Sequence, residues 1–344
     1  MIRRWIAKLA AVIDEHGMRG GDSTKMKVFT ARASGWIWSV IRCVILVGFA
    51  FIILYPLLGL ISVALRHSSE LNDPTVVWIP RRLVMDNVIR AFDRLDFFRT
   101  FWLTVSISLV SAVISMIICG FAGYGFARFN FAGKRLLFGI LLFTILLPPQ
   151  VLLIPQFLQN AFFDFFGFVT LVNALGGNMG TISINNTVWP LYLPALFGQG
   201  IRSGLLIFIF RQFFRGMPNE LEDSAYVDGA GPFTAFVKII IPNAVPAYLT
   251  VFLFTTVWYW SDSTFAPWFL GDRHTFAMRT ASAARFVVEL EGGDGHAMVN
   301  IIDRAATLAT YQTAMLIMIL PVLILFIVFQ RHFVESVEKT GIVG

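Results

Sequence analysis

The apolar residues of this chain fall in uninterrupted blocks, the first running from Cys43 to Leu65 without a single charged side chain. A block of that length is longer than a core helix needs and matches the roughly 20 residues required to cross a bilayer. Lipid offers no hydrogen bonds, so a backbone placed there must satisfy its own, which leaves helices or closed barrels; runs this long select helices. Of the 344 residues, 57% are hydrophobic and only 14% charged, whereas a soluble domain carries about 25% charged residues. The chain reads as an all-α membrane protein, and a soluble enzyme is excluded.

Six transmembrane helices are expected, near Cys43 to Leu65, Phe101 to Phe121, Leu136 to Phe157, Thr187 to Phe210, Ala244 to Leu270 and Tyr311 to Gln330. Pro148, Pro149 and Pro155 break the outer half of the third, and Pro190 and Pro194 open the fourth. With the N-terminus in the cytoplasm, that side collects Arg3, Arg4, Lys8, Arg19, Lys25, Lys27, Arg32, Arg42, Arg128, Lys134, Arg135, Arg211, Arg215, Lys238, Arg331 and Lys339, more than half of the 27 Lys and Arg. The positive-inside bias then places both termini in the cytoplasm. The net charge of +6 is therefore orientation information, and nucleic acid is not an expected partner. Residues 1–40 read as a cytoplasmic extension in which Ile2, Trp5, Ile6, Leu9 and Ile13 follow helical spacing. That pattern suits an amphipathic helix on the inner membrane face, or else a basic tail. Residues 41–344 form the transmembrane domain.

The sequence lacks the signs of on-board chemistry. Gly133 and Lys134 are followed by Arg135, and Arg128 stands where a P-loop needs its first glycine, so the chain has no ATPase motif of that kind. His16, His67, His274, His296 and His332 are scattered, with no metal-ligand spacing. Ser106, Ser108, Ser111 and Ser115 recur at helical intervals, as small polar residues on a packing face do. Cys43 and Cys119 lie in apolar runs and read as packing residues.

One charged loop, 211–242, has a grammar of its own. Pro218 suits a first helical position, Glu220, Glu222 and Asp223 favour the positive end of a helix dipole, and Gly229 is a stop. After Gly231, Pro232 opens a second short helix with Phe233, Phe236, Val237 and Ile240 as its apolar face, ending at Pro242. On the first helix Leu221, Ser224 and Ala225 share one side, a flank of small residues able to approach another protein while the acids face water. A compact connector packed on the protein's own helices is the alternative.

With these residues in view, the loop resembles that of the inner-membrane permease subunits of bacterial ABC importers, particularly the maltose-type (MalG-like) carbohydrate branch. The family signature reads E-A-A, three residues, Gly, nine residues, I-x-L-P. Asp223, Ser224 and Ala225 fill the first places, Gly229 the glycine, and Ile239, Ile241 and Pro242 the end, with Asp for Glu, Ser for Ala and Ile for Leu. The segments Gly123 to Arg135, Leu147 to Pro155, Arg211 to Phe214 and Leu320 to Val334 are also similar, so the likeness covers about Ile41 to Gly344. The N-terminal extension and the charged outer loop from Gly271 to about Thr310 depart from it.

The resemblance implies a type I importer (MetI-like) permease fold with cytoplasmic coupling helices. It implies a second permease, two ABC ATPase subunits that bind ATP and Mg, and an extracytoplasmic solute-binding protein; this chain itself would carry no cofactor. Glu222, Asp223, Ser224, Ala225 and Gly229 would then form the coupling helix seated in an ATPase. For the substrate path, Arg202 lies well inside the bilayer and Trp258, Tyr259, Trp260 and Asp262 offer stacking faces and an acceptor. Snorkelling or a pair with Asp262 also explains Arg202, and the aromatics also suit core or lipid contacts. Permeases for glycerol phosphate, peptide or amino acid share the loop motif. A membrane-embedded transferase would need clustered acids or histidines at one face, and a secondary transporter would show internal repeats.

Overall fold

The computed structural model describes the backbone of residues 22–71, 73–76, 78–282 and 301–341. The expected amphipathic helix from Ile2 to Ile13 and most of the charged outer loop lie outside these residues. Every regular element among them is helical, the extended pairing being confined to the isolated bridges Arg66 with Leu83 and Phe163 with Ile182. The chain divides into two units, Met1–Ile61 and Ser62–Gly344.

In the first unit the described chain is one helix, α1 (Asp22–Ala64), whose last residues belong to the second. From Val44 to Tyr55 its large apolar side chains are exposed, as a lipid-facing helix requires. Cys43 is exposed there, which corrects its reading as a packing residue; Cys119 alone of the two is buried.

The second unit comprises α2 (Asp86–Leu95), α3 (Phe97–Arg128), α4 (Lys134–Leu146), α5 (Leu153–Ala161), α6 (Phe168–Ala174), α7 (Trp189–Leu196), α8 (Ser203–Gly216), α9 (Glu220–Val227), α10 (Val245–Trp260) and α11 (Ile301–Gly341). Among the described residues three helices are long and apolar enough to cross a membrane, Trp38–Ala64, Phe97–Arg128 and Ala305–Gln330, and the number is five if each of two bent pairs is one span. The first pair, Lys134–Leu146 with Pro149–Ala161, turns by 103° at the prolines that the sequence places in the third span. Pro148 is extended (ψ 126°) because the proline after it disfavours the helical region.

The other two expected spans differ from expectation. Thr187 to Phe210 is not one helix: α7 and α8 are separated by a break containing Gly198 (φ +67°) and Arg202 (φ +55°). A Cβ on Gly200 would lie 2.8 Å from the Tyr259 hydroxyl, which fills the break and accepts from the Ile201 N–H at 3.2 Å. The fifth helix ends at Trp260 rather than Leu270, and its start is bent by 74° from the segment Pro232–Asn243.

α3 is the central helix, packed along α8 and α10. Its buried face carries Thr100, Thr104, Ser108, Ser111, Ser115, Cys119, Gly120 and Gly123, the small-residue stripe that lets helices approach closely in lipid. Ser106 is the exception among the serines singled out, exposed and 3.1 Å from the Tyr192 hydroxyl. At Gly123 an added Cβ would meet the Phe210 Cβ at 2.4 Å, so α3 and α8 touch backbone to backbone.

Candidate functional site

The loop following α8 folds as its residues dictate. Helix α9 begins at Glu220, two positions after Pro218, with Glu220, Glu222 and Asp223 in its first turn where the helix dipole favours acids. It closes as a Schellman turn: Ala230 N–H donates to Ala225 O at 2.9 Å, and Gly229 N–H to Tyr226 O at 3.0 Å. Gly229 sits at φ +81°, the left-handed conformation that glycine adopts without penalty. Gly231 and Pro232 then start the second segment, which passes through a π-helical turn at Phe236–Ile240 before Ile241–Asn243.

The faces are not those the sequence suggests. Ala225 and Glu222 are buried, while Asp223 and Ser224 are exposed and Leu221 is half-buried. The inward acid has a partner that local spacing cannot show, Arg128 at the end of α3. Arg128 Nε lies 2.8 Å from Glu222 Oε1, and each side chain is only 11% exposed. Neither atom makes an aligned hydrogen bond, so this is a close contact of charges. The same guanidinium donates from Nη2 to Met217 O at 2.9 Å and from Nη1 to Asn219 Oδ1. Beneath it Tyr124 packs against Phe236 (4.4 Å between centroids) and edge-on to Phe214 (5.6 Å). The second segment likewise splits its expected apolar face: Phe236 and Ile240 are buried, whereas Phe233 and Val237 face outward.

The result is a short helix tied down on one side and presenting Glu220, Asp223, Ser224 and Val227 on the other, with Val227 88% and nearby Phe233 70% exposed. Val227 and Phe233 thus stand exposed beside the acids Glu220 and Asp223.

The second set of candidates separates into two groups. Asp262 accepts from the N–H groups of Thr264 (2.9 Å), Phe265 (3.0 Å) and Ala266 (2.8 Å), tying down the turn that leads into the short helix Ala266–Phe269. Trp260 donates from Nε1 to Met318 O at 3.0 Å and packs near Phe101 and Phe276. Tyr259 holds the break before α8. Arg202 does not pair with Asp262; its guanidinium lies over the Trp258 ring at 4.9 Å. Arg202 is exposed and Trp258 half-buried, so these two of the five candidates keep surface outside the packing.

Long apolar helices, bent pairs and a polar helix braced against the bundle define a multi-pass helical membrane protein. Residues 115–339 match the family described as binding-protein-dependent transport system inner membrane component, and the chain belongs to that family. A probable ABC transporter permease of Bacillus subtilis is 26% identical over 340 residues, 98% of this chain and 97% of its own. An arabinooligosaccharides transport system permease of Halalkalibacterium halodurans is 27% identical over 311 residues, 89% of this chain and 98% of its own. A trehalose transport system permease of Mycobacterium tuberculosis is 28% identical over 309 residues, with 89% and 97% covered. Among solved structures, a bacterial ABC transporter involved in the import of the acidic polysaccharide alginate superposes with a TM-score of 0.63 at 20% identity, over 87% of this chain and 98% of that chain. The two share the fold.

Proposed function

We propose that this chain is one permease subunit of an ATP-driven importer for a carbohydrate delivered by a solute-binding protein. The carbohydrate assignment is supported by relatives named for arabinooligosaccharide, trehalose and lactose transport. On this reading it crosses the membrane six times with both termini in the cytoplasm, the broken α7 and α8 making one crossing. It pairs with a second permease and with two ATPases, which hold the ATP and Mg.

The observation that carries the reading is the geometry of α9. One face is anchored through Glu222 and Ala225, and the other offers Asp223, Ser224 and Val227 to a cleft. ATP binding closes the ATPase pair, the seated helices move together, and the bundle switches between inward- and outward-facing states. The substrate path runs past Arg202 and Trp258, where a guanidinium over an indole offers donors and a stacking face to a sugar ring. Arg202 holds a left-handed backbone conformation that a non-glycine residue adopts only under constraint.

The test is to solubilise the tagged chain from its native membrane, identify co-purifying proteins, and measure ATPase activity with the binding protein and a panel of oligosaccharides. Recovery of an ABC ATPase and a second permease, with stimulation by a carbohydrate, is the expected result. A chain that purifies alone and folded, or a complex stimulated only by peptide or amino acid, overturns it.

A further inference from the structure

We propose that Arg128 is a positioning residue that makes α3 follow every displacement of α9. The inference rests on the coupling reading above and adds a specific mechanical link. Helix α9 has only 8 residues, too few to persist by their own hydrogen bonds. Its inward face supplies little apolar anchorage, Ala225 being its one buried apolar side chain. The remaining buried group is the Glu222 carboxylate, which would be expensive to bury without a cation.

Arg128 supplies that cation and more. Its planar fork reaches the carbonyl of Met217 and the side chain of Asn219 in the turn before α9, and Glu222 in the first turn of the helix. The start of α9 cannot slide or tilt relative to the end of α3 without breaking all three contacts. Lysine, with a point charge on a flexible stem, cannot hold three divergent acceptors in this way.

From Arg128 the connection continues along a rigid body. α3 runs unbroken back to Phe97 and meets α8 through Gly123. Toward its start, the buried Thr104 hydroxyl accepts from the Phe276 N–H at 3.1 Å. A motion imposed on α9 therefore reaches the segment around Phe276, 148 positions away in sequence from Arg128, through the three contacts of Arg128, the packed helix and the Thr104–Phe276 hydrogen bond.

The experiment compares Arg128→Ala, Arg128→Lys and Glu222→Gln in the assembled complex, reconstituted with the ATPases and second permease. Three readouts are needed: ATPase recovered with the chain, basal hydrolysis, and hydrolysis and uptake stimulated by loaded binding protein. The expected result is that Arg128→Ala retains the ATPase and basal hydrolysis but loses stimulation and uptake about ten-fold. Arg128→Lys and Glu222→Gln, which preserve the packing, fall between it and the wild type.

Uptake by Arg128→Ala equal to the wild type overturns the proposal. So does loss of the ATPase from all three variants, which would make Arg128 a support for the docking surface and not a link. Failure of the unaltered chain to recover any ATPase refutes the coupling reading itself, a result distinct from either.

Discussion

Gly229 closes α9 in a conformation that L-residues avoid, and the energetic consequence can be isolated because a Cβ built there meets nothing within 4 Å. Within this chain, alanine at 229 therefore carries no steric clash, only the left-handed backbone penalty of about 1–2 kcal/mol. Since about 1.4 kcal/mol is tenfold in an equilibrium, the Schellman turn formed by Gly229 and Ala230 opens roughly five- to thirty-fold more often. Asparagine, whose side chain hydrogen-bonds locally, pays less, and valine, branched at Cβ, pays more. Membrane abundance should stay near wild type, because the turn lies outside the buried packing. Binding-protein-stimulated ATPase activity in the reconstituted complex should fall in the order Gly, Asn, Ala, Val. Full stimulation in Gly229→Val refutes the reasoning. A ranking by side-chain volume, with alanine harmless and asparagine as damaging as valine, would place the constraint in the partner's cleft instead of the backbone.

Further outcomes follow from the packing. Gly123→Ala forces a Cβ to 2.4 Å from the Phe210 Cβ and 3.0 Å from the Arg211 backbone nitrogen; overpacking of this kind costs about 1–3 kcal/mol, read as a lower thermal midpoint in detergent and reduced abundance. Asp262→Ala strands the N–H groups of Thr264, Phe265 and Ala266, a loss of about 1–3 kcal/mol that lowers stability without changing the sugar concentration for half-maximal uptake. Trp258→Ala and Arg202→Ala remove a cation–π contact worth about 0.5–2 kcal/mol; uptake should need more substrate while thermal stability changes little, and the reverse pattern would assign the pair to packing.

The parts of the fold written in local signals were legible. The Cys43 to Leu65 block falls in a single helix that ends at Ala64, the chain bends at the prolines 148 and 149, and Gly229 and Pro232 stop and restart it where turn chemistry requires. The orientation of Glu222 was not legible, because its partner Arg128 lies on another helix, 94 positions earlier in the chain. One signal was available: Glu222 and Ala225 are three apart on α9 and so share a face. The break between α7 and α8 had its cue in Gly198 and Gly200, but the reason for it, the Tyr259 hydroxyl, comes from α10. In the sequence Asp262 reads as an acceptor on the substrate path, or else as a partner for Arg202. In the structure its oxygens are taken up by the N–H groups two, three and four residues further along the chain, a short-range role set by the turn that leads into Ala266–Phe269.

The central claim is that the outward face of α9 lies in a cleft of an ATPase subunit. Its most direct test places a photo-crosslinking side chain at Val227 on that face, with a second at Ala225 on the buried face, in the complex within native membranes. The account predicts a crosslink from position 227 to an ABC ATPase subunit that strengthens or weakens with nucleotide, and none to that subunit from position 225. Crosslinks from position 227 to lipid or to this chain alone, in a complex that hydrolyses ATP and transports its solute, would contradict it.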